Sequence, residues 1–85
     1  MSPEAALKRG GVARLVTATL EHVTLDIPFA SPPGSTVELV VADAPLGVKV
    51  RSCRRLPEPE ATLFRVEGRW VTLPRAQRDA LGIQA

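Results

Sequence analysis

The sequence predicts a mainly β protein, a small antiparallel β-barrel or curled sheet of about five to six strands with a C-terminal helix and a short N-terminal helix. Three observations support this fold class. The chain of 85 residues has the length of one domain. Short apolar alternations, separated by turn residues, recur between residues 12 and 71. Residues 66–81 form a strand pattern that ends in the only tryptophan and continues directly into a helix pattern.

The N-terminal segment, residues 1–11, is predicted to be a short helix or arm ahead of a barrel domain at residues 12–85. Ser2 is a suitable N-cap, Pro3 fits the first helical position, and Gly10 is typical of a helix end. Two helical turns are marginally stable in isolation, so this helix would have to dock on the barrel.

With a helix at the N-terminus, the strand at residues 12–18 or a neighbouring strand would have an unpaired edge. Exposed edges tend to be covered or to pair with another chain. We therefore expect residues 3–9 to cover the edge as a helix, or two chains to pair there as a homo-oligomer.

The first two barrel strands differ in the clarity of their patterns. Residues 12–18 alternate poorly, which indicates burial on both faces near one end, or a bulge. Residues 23–29 alternate cleanly and predict one buried and one wet face, with Asp26 on the wet face.

Further strands are predicted at 36–42, 48–56 and 61–71, with turns at 31–35, 44–47 and 57–60. A change of parity in the fourth strand predicts a bulge near Ser52 and Cys53.

The last strand and the helix are predicted to close the core. Trp70 is the expected anchor, since a tryptophan side chain buries about 200 Å². Thr72 is predicted to cap the helix, with Pro74 in its first turn. The inward-facing strand residues are Phe64, Val66, Gly68 and Trp70. The apolar helix positions are Ala76, Ala80 and Leu81.

Several classes of function are disfavoured by composition. A lone Cys53 allows no intramolecular disulfide, and together with His22 it supplies too few ligands for zinc, so no metal site is expected. No nucleophile–base pair or paired carboxylates are visible, so we predict no enzymatic activity. There is no long apolar run and no signal-peptide pattern, which makes a cytoplasmic location the expectation.

Three segments together resemble the PilZ family. Residues 32–39 are a proline-glycine turn followed by a polar strand, and residues 50–57 read Val-x-x-Cys-Arg-Arg-Leu-Pro. Residues 65–81 are similar to the closing strand, Leu-Pro and amphipathic helix of that family. The family is a small bacterial β-barrel with a C-terminal helix, and many members bind cyclic di-guanylate. The resemblance covers residues 12–81 and implies a role in bacterial signalling, for example in surface motility.

The resemblance also locates the ligand motifs of the family, and here the sequence departs from them. Members that bind the dinucleotide have an Asp/Asn-x-Ser-x-x-Gly motif, which falls on residues 17–22. Thr19 keeps a hydroxyl group, but Thr17 lacks the carboxylate or amide, and His22 replaces the glycine. Glu21 adds negative charge close to where a bis-anionic ligand would lie.

The second ligand motif, Arg-x-x-x-Arg ahead of the first strand, has no counterpart, because the cations there lack the spacing. Two arginine pairs with that spacing lie later, inside predicted strands. The candidate ligand-binding residues are Arg9, Arg14, Thr17, Thr19, Arg51, Arg55, Arg65 and Arg69. The other interpretation of the late arginines is a solvated face paired with Glu58, Glu60 and Glu67.

Three functional hypotheses follow. The first is a PilZ-like adaptor that acts through protein–protein contacts and does not itself bind cyclic di-guanylate. The second is a cyclic di-guanylate receptor with a non-standard arginine site, and this is the only cofactor-like ligand that any hypothesis requires. The third is a basic β-barrel that binds nucleic acid. A net charge of +2 permits that partner, but one Trp, two Phe and no Tyr offer no stacking platform.

Overall fold

The computed structural model describes residues 4–83, which form six antiparallel strands and one short helix. In chain order the elements are β1 (Glu4–Leu7), β2 (Val12–Ala18), β3 (Val23–Ile27), β4 (Thr36–Val41), β5 (Ala44–Arg55), β6 (Phe64–Trp70) and α1 (Arg75–Ala80). The strands close into a barrel in the order β1-β2-β3-β6-β5-β4. The predicted fold class, a small antiparallel barrel with a C-terminal helix, is therefore confirmed.

The predicted N-terminal helix is wrong, because β1 occupies this part of the chain. Its alternate residues Ala5 and Leu7 are buried in the core. An isolated two-turn helix satisfies few of its own backbone groups, whereas a strand inserted here finds a hydrogen-bonding partner on each side. The expected cap residues, Ser2 and Pro3, lie outside the described residues.

Pairing of β1 with both β2 and β4 closes the barrel. Ala6 lies at the junction, since Val12 and Val40 are both its cross-strand partners. The unpaired edge that was predicted to be covered by a helix or by a second chain is therefore not present along β1.

The β4–β5 hairpin turns two residues earlier than predicted. Ala42 and Asp43 form the turn with φ values of 52° and 61°, the left-handed conformation that suits tight hairpins. The predicted turn at 44–47 is instead the start of β5. Pro45 is tolerated there because β6 pairs with β5 only from Val48 onwards, so the missing N–H faces no partner strand.

The core is built from one face of each strand. The inward face predicted for β3 is confirmed by Val23, Leu25 and Ile27, which are at most 1% exposed. The predicted wet face is not confirmed at Asp26, which is 1% exposed. Trp70 is buried as predicted. The buried cluster consists of Ala5, Leu7, Ala13, Leu15, Val23, Leu25, Ile27, Val37, Leu39, Val41, Leu46, Val48, Val50, Val66, Trp70 and Ile83.

Two register shifts bend the barrel where the sequence predicted irregularity. One lies between Leu15 and Thr17 in the β2–β3 pair, and the other between Val50 and Ser52 in the β5–β6 pair. Each leaves one extra residue on one strand, which increases local twist and redirects a side chain. In β5 the extra residue is Arg51.

The C-terminal helix is shorter than predicted and packs differently. Pro74 is its N-cap, and no side chain caps it, so the expected cap by Thr72 is wrong. Gln77 is the buried helix residue, and its Nε2 donates a hydrogen bond to the carbonyl oxygen of Val41 at 3.4 Å. The expected contact residues Ala76 and Ala80 are exposed, and Leu81 is half-buried, because a helix of this length presents only one position squarely to the barrel. Within residues 4–83 no helix is long and apolar enough to cross a membrane.

Candidate functional site

Asp26 is buried on the outer face of the barrel, where the sequence predicted a solvated residue. The strand registers place it directly between Arg14 of β2 and Arg65 of β6. Arg65 donates from Nε to Oδ1 at 2.9 Å and from Nη2 to Oδ2 at 3.0 Å. Arg14 donates to Oδ2 from Nη2 at 2.6 Å and from Nε at 3.2 Å. A buried carboxylate is thus satisfied by two guanidinium groups.

Glu60, from the loop between β5 and β6, extends this network. Its Oε2 accepts a hydrogen bond from Nη2 of Arg14 at 2.6 Å. The expected pairing of the late arginines with Glu58, Glu60 and Glu67 is not found within residues 4–83, because the arginine that Glu60 binds is Arg14. Within residues 4–83, every buried side-chain N or O atom has a hydrogen-bond partner.

The network sets the charge state of its members. Hydrogen bonds from Arg65 are the largest cause that lowers the pKa of the Asp26 carboxyl below its usual value, and Arg14 adds to them while burial opposes them. The same bonds raise the pKa of Arg14 and Arg65. Asp26 thus remains ionised and the two arginines remain paired, an arrangement that stabilises structure and does not suit proton transfer.

The two candidate threonines lie at and beside the β2–β3 turn. Thr17 is exposed. Thr19 makes the turn with His22, because its Oγ1 accepts from the His22 N–H at 3.0 Å and its own N–H donates to the His22 carbonyl at 2.8 Å. Nε1 of Trp70 donates to the Thr19 carbonyl oxygen at 2.8 Å. The Thr19 hydroxyl therefore serves the turn itself, and the core tryptophan holds that turn in place.

Two other candidate arginines stack on phenylalanine rings at separate places. The guanidinium carbon of Arg9 lies 4.3 Å from the ring centroid of Phe29. That of Arg55 lies 5.5 Å from the ring centroid of Phe64. Both distances are within the range of cation–π attraction. The structure does not bring these two arginines to one site.

Arg51 and Arg69 are the candidates that the structure brings together at an open surface. With His22 and Lys49 they line a surface cleft of about 440 Å³, beside Val50 and Gly68. We call this surface, formed by His22, Lys49, Arg51 and Arg69 around Val50 and Gly68, the cationic cleft. Sequence reasoning missed Lys49, although its position opposite an arginine could have been inferred from the hairpin register.

No alternative chemistry stands out elsewhere in the described chain. His22, Cys53 and the acidic residues between 4 and 83 form no group of three that could hold a metal ion. Cys53 is half-buried, and its Sγ lies 3.5 Å from the backbone nitrogen of Ser31, from which it accepts a hydrogen bond. This contact is consistent with a packing role for the thiol.

Comparison of the chain with protein-family models, with curated proteins and with solved structures found no match.

Proposed function

We propose that this protein is a PilZ-like signalling module that acts as an adaptor through protein–protein contacts, without catalysis and without binding cyclic di-guanylate at the motif positions of the family. Support comes from the order of the resembling segments along the chain and from the six-stranded barrel into which they fold.

The observation that carries the proposal is the engagement of Arg14 and Arg65 by Asp26. To grip a phosphate, either guanidinium would have to leave a buried carboxylate whose side chain is 0% exposed. An unpaired buried charge is costly, so exchange of this partner for a solvated ligand is unfavourable. The motif turn is occupied as well, since the Thr19 hydroxyl hydrogen-bonds to His22.

An apolar stripe on the outer face of the barrel supports contact with another protein. Ala6, Val12 and Val40 are cross-strand neighbours on β1, β2 and β4. All three are exposed, Val12 by 51% and Val40 by 38%. Adjacent exposed apolar side chains on a small domain are typical of a surface that meets a partner.

Calorimetric titration with cyclic di-guanylate tests the ligand part of the proposal. We expect no saturable heat, because the arginines nearest the family motif are already paired. Tight binding of the dinucleotide at a defined stoichiometry would contradict it.

Photo-crosslinking in the native cells tests the adaptor part. A crosslinker placed at Val40 should give a discrete adduct that is lost when Val12→Glu is added. The control is the same crosslinker at Val71, which is 57% exposed and lies outside the stripe. An adduct that persists in the Val12→Glu variant, or that forms equally from position 71, would argue against the stripe as the contact surface.

The second candidate is a cyclic di-guanylate receptor with a non-standard arginine site. Arg51 and Arg69 favour it, since no carboxylate of residues 4–83 lies within 4.0 Å of either guanidinium. The same calorimetric titration decides between the candidates. Saturable binding that is abolished in the Arg51→Ala/Arg69→Ala variant would support the receptor.

A further inference from the structure

Lys49 and Arg69 lie directly opposite each other across the β5–β6 pair. Both are exposed, and both project from the outer face of the barrel. Like charges in this position repel and destabilise a sheet. Neither forms an ion pair with any carboxylate in the described part of the chain. The fold therefore places two cations side by side without a neutralising partner from residues 4–83.

Arg51, the extra residue of the β5 bulge, is a third cation on this face. It is the extra residue between Val50, which pairs with Gly68, and Ser52, which pairs with Glu67. Arg51 is two residues from Lys49, and the alternation of side chains along a strand places both on the outer face. Both line the cleft.

Gly68 permits this close arrangement of the two strands. A Cβ atom at this position would overlap the carbonyl oxygen of Lys49 and crowd the Val48 side chain. A glycine in a strand interior is otherwise unfavourable, and it often marks a bulge or a close backbone approach. Gly68 and its partner Val50 both line the cleft, between the cations of the two strands.

Two acidic residues lie near the cleft, but neither forms an ion pair within residues 4–83. Glu67 lies between Thr24 and Ser52 on the neighbouring strands. It does not line the cleft, and neither does Glu21 of the β2–β3 turn. The lining is completed by His22, whose imidazole offers a further hydrogen-bonding group.

We propose that the cationic cleft binds the phosphate groups of a small, multiply charged ligand, of the polyphosphate or phosphorylated-metabolite class. Two guanidinium forks and one ammonium group are the side chains that proteins use for phosphate oxygens. The site does not depend on the PilZ-like assignment, since its three cations lie on β5 and β6 and its only residue from the motif turn is His22. It uses neither of the arginines bound to Asp26.

Pyrophosphate is the probe for the test, with backbone-amide NMR shifts as the readout. Titration should move the amides of residues 49–51 and 68–70 along a single saturable curve, and it should do so in physiological chloride. The Lys49→Gln/Arg51→Gln/Arg69→Gln variant should bind pyrophosphate at least about tenfold more weakly than the wild type, since it loses three charged contacts.

A matched control separates a site from general basicity. The Lys8→Gln/Arg9→Gln/Arg75→Gln variant loses the same one lysine and two arginines at positions outside the cleft. It should keep the affinity of the wild type. Equal weakening of both variants, or shifts spread over all cationic residues, would overturn the proposal.

Two further ligands identify the source of the phosphate. Inorganic phosphate should bind more weakly than pyrophosphate, because it carries less charge. A short single-stranded oligonucleotide that bound more tightly than pyrophosphate, with steep salt dependence, would replace the proposal with nucleic-acid binding. Binding of pyrophosphate without binding of cyclic di-guanylate would support the cleft and reject the receptor hypothesis.

Discussion

Asp26 and Arg65 form a bidentate pair across β3 and β6, with hydrogen bonds of 2.9 and 3.0 Å. These strands are neighbours in the barrel but are separated by β4 and β5 in the sequence. The pair therefore joins the N-terminal and C-terminal halves of the chain where β3 lies beside β6. Its carboxylate is 0% exposed and the Arg65 side chain 28% exposed, so solvent screens the contact only in part.

Asp26→Asn should lower the free energy of unfolding by about 2 kcal/mol, because it removes the charge that satisfies two guanidinium groups. Partial exposure of the arginines keeps the loss below that of a fully buried pair. Urea denaturation at neutral pH measures it. The matched control is Asp43→Asn, on the exposed β4–β5 turn, which should change stability by less than about 0.5 kcal/mol. Equal effects of the two substitutions would show that the Asp26 network contributes nothing specific.

The same network predicts a particular response to acid. Because the pKa of Asp26 is lower in the folded protein than in the unfolded chain, its stabilisation is complete above the unfolded value of about 3.9. It is lost as the pH falls through the folded-state pKa. The stability difference between wild type and Asp26→Asn should stay constant down to about pH 5 and shrink below about pH 4. Urea titrations at several pH values check this, and a difference unchanged at about pH 2 would contradict it.

Gly68→Ala should destabilise the protein by about 3 kcal/mol, because its methyl group would overlap the Lys49 carbonyl oxygen and push β5 away from β6. Gly47→Ala is the control, in β5 one residue before its pairing with β6 begins. There a Cβ atom would meet Thr36 and Val71 at 3.4 Å, an ordinary contact, so stability should change by less than about 1 kcal/mol. Thermal unfolding followed by circular dichroism compares the two. A Gly68→Ala protein as stable as Gly47→Ala would show that the strands can separate freely at the bulge.

Trp70→Phe should keep most of the buried aromatic surface and lose the hydrogen bond to the Thr19 carbonyl. We expect a loss of about 1–2 kcal/mol and faster hydrogen exchange at the amides of Thr19 and His22. Thr19→Ala removes the hydroxyl from the same turn but leaves its carbonyl oxygen, so it serves as the comparison in a double-mutant cycle. Unchanged exchange at the turn in Trp70→Phe would mean that the indole does not hold it.

Patterns within single strands were readable from the sequence. The period-2 burial of Val23, Leu25 and Ile27 depends on residues two positions apart, and both bulges showed as local breaks of parity. The N-terminal strand was not readable, since Ser2, Pro3 and Gly10 form a plausible helix pattern and the decisive factor was the open place between β2 and β4. A terminal segment adopts whichever structure satisfies its backbone groups in the assembled fold.

The candidate site was predictable only in its residue types. Arg51 and Arg69 were expected to bind a ligand, but so were Arg14 and Arg65, and nothing local distinguishes the two sets. Their difference comes from the register, which places a buried carboxylate beside one set and another cation beside the other. The sequence alone determined the five strands from β2 to β6, their inward faces and the core tryptophan, because these follow from spacing along the chain. Tertiary structure decided which charges are neutralised, because strands distant in sequence meet only when the barrel closes.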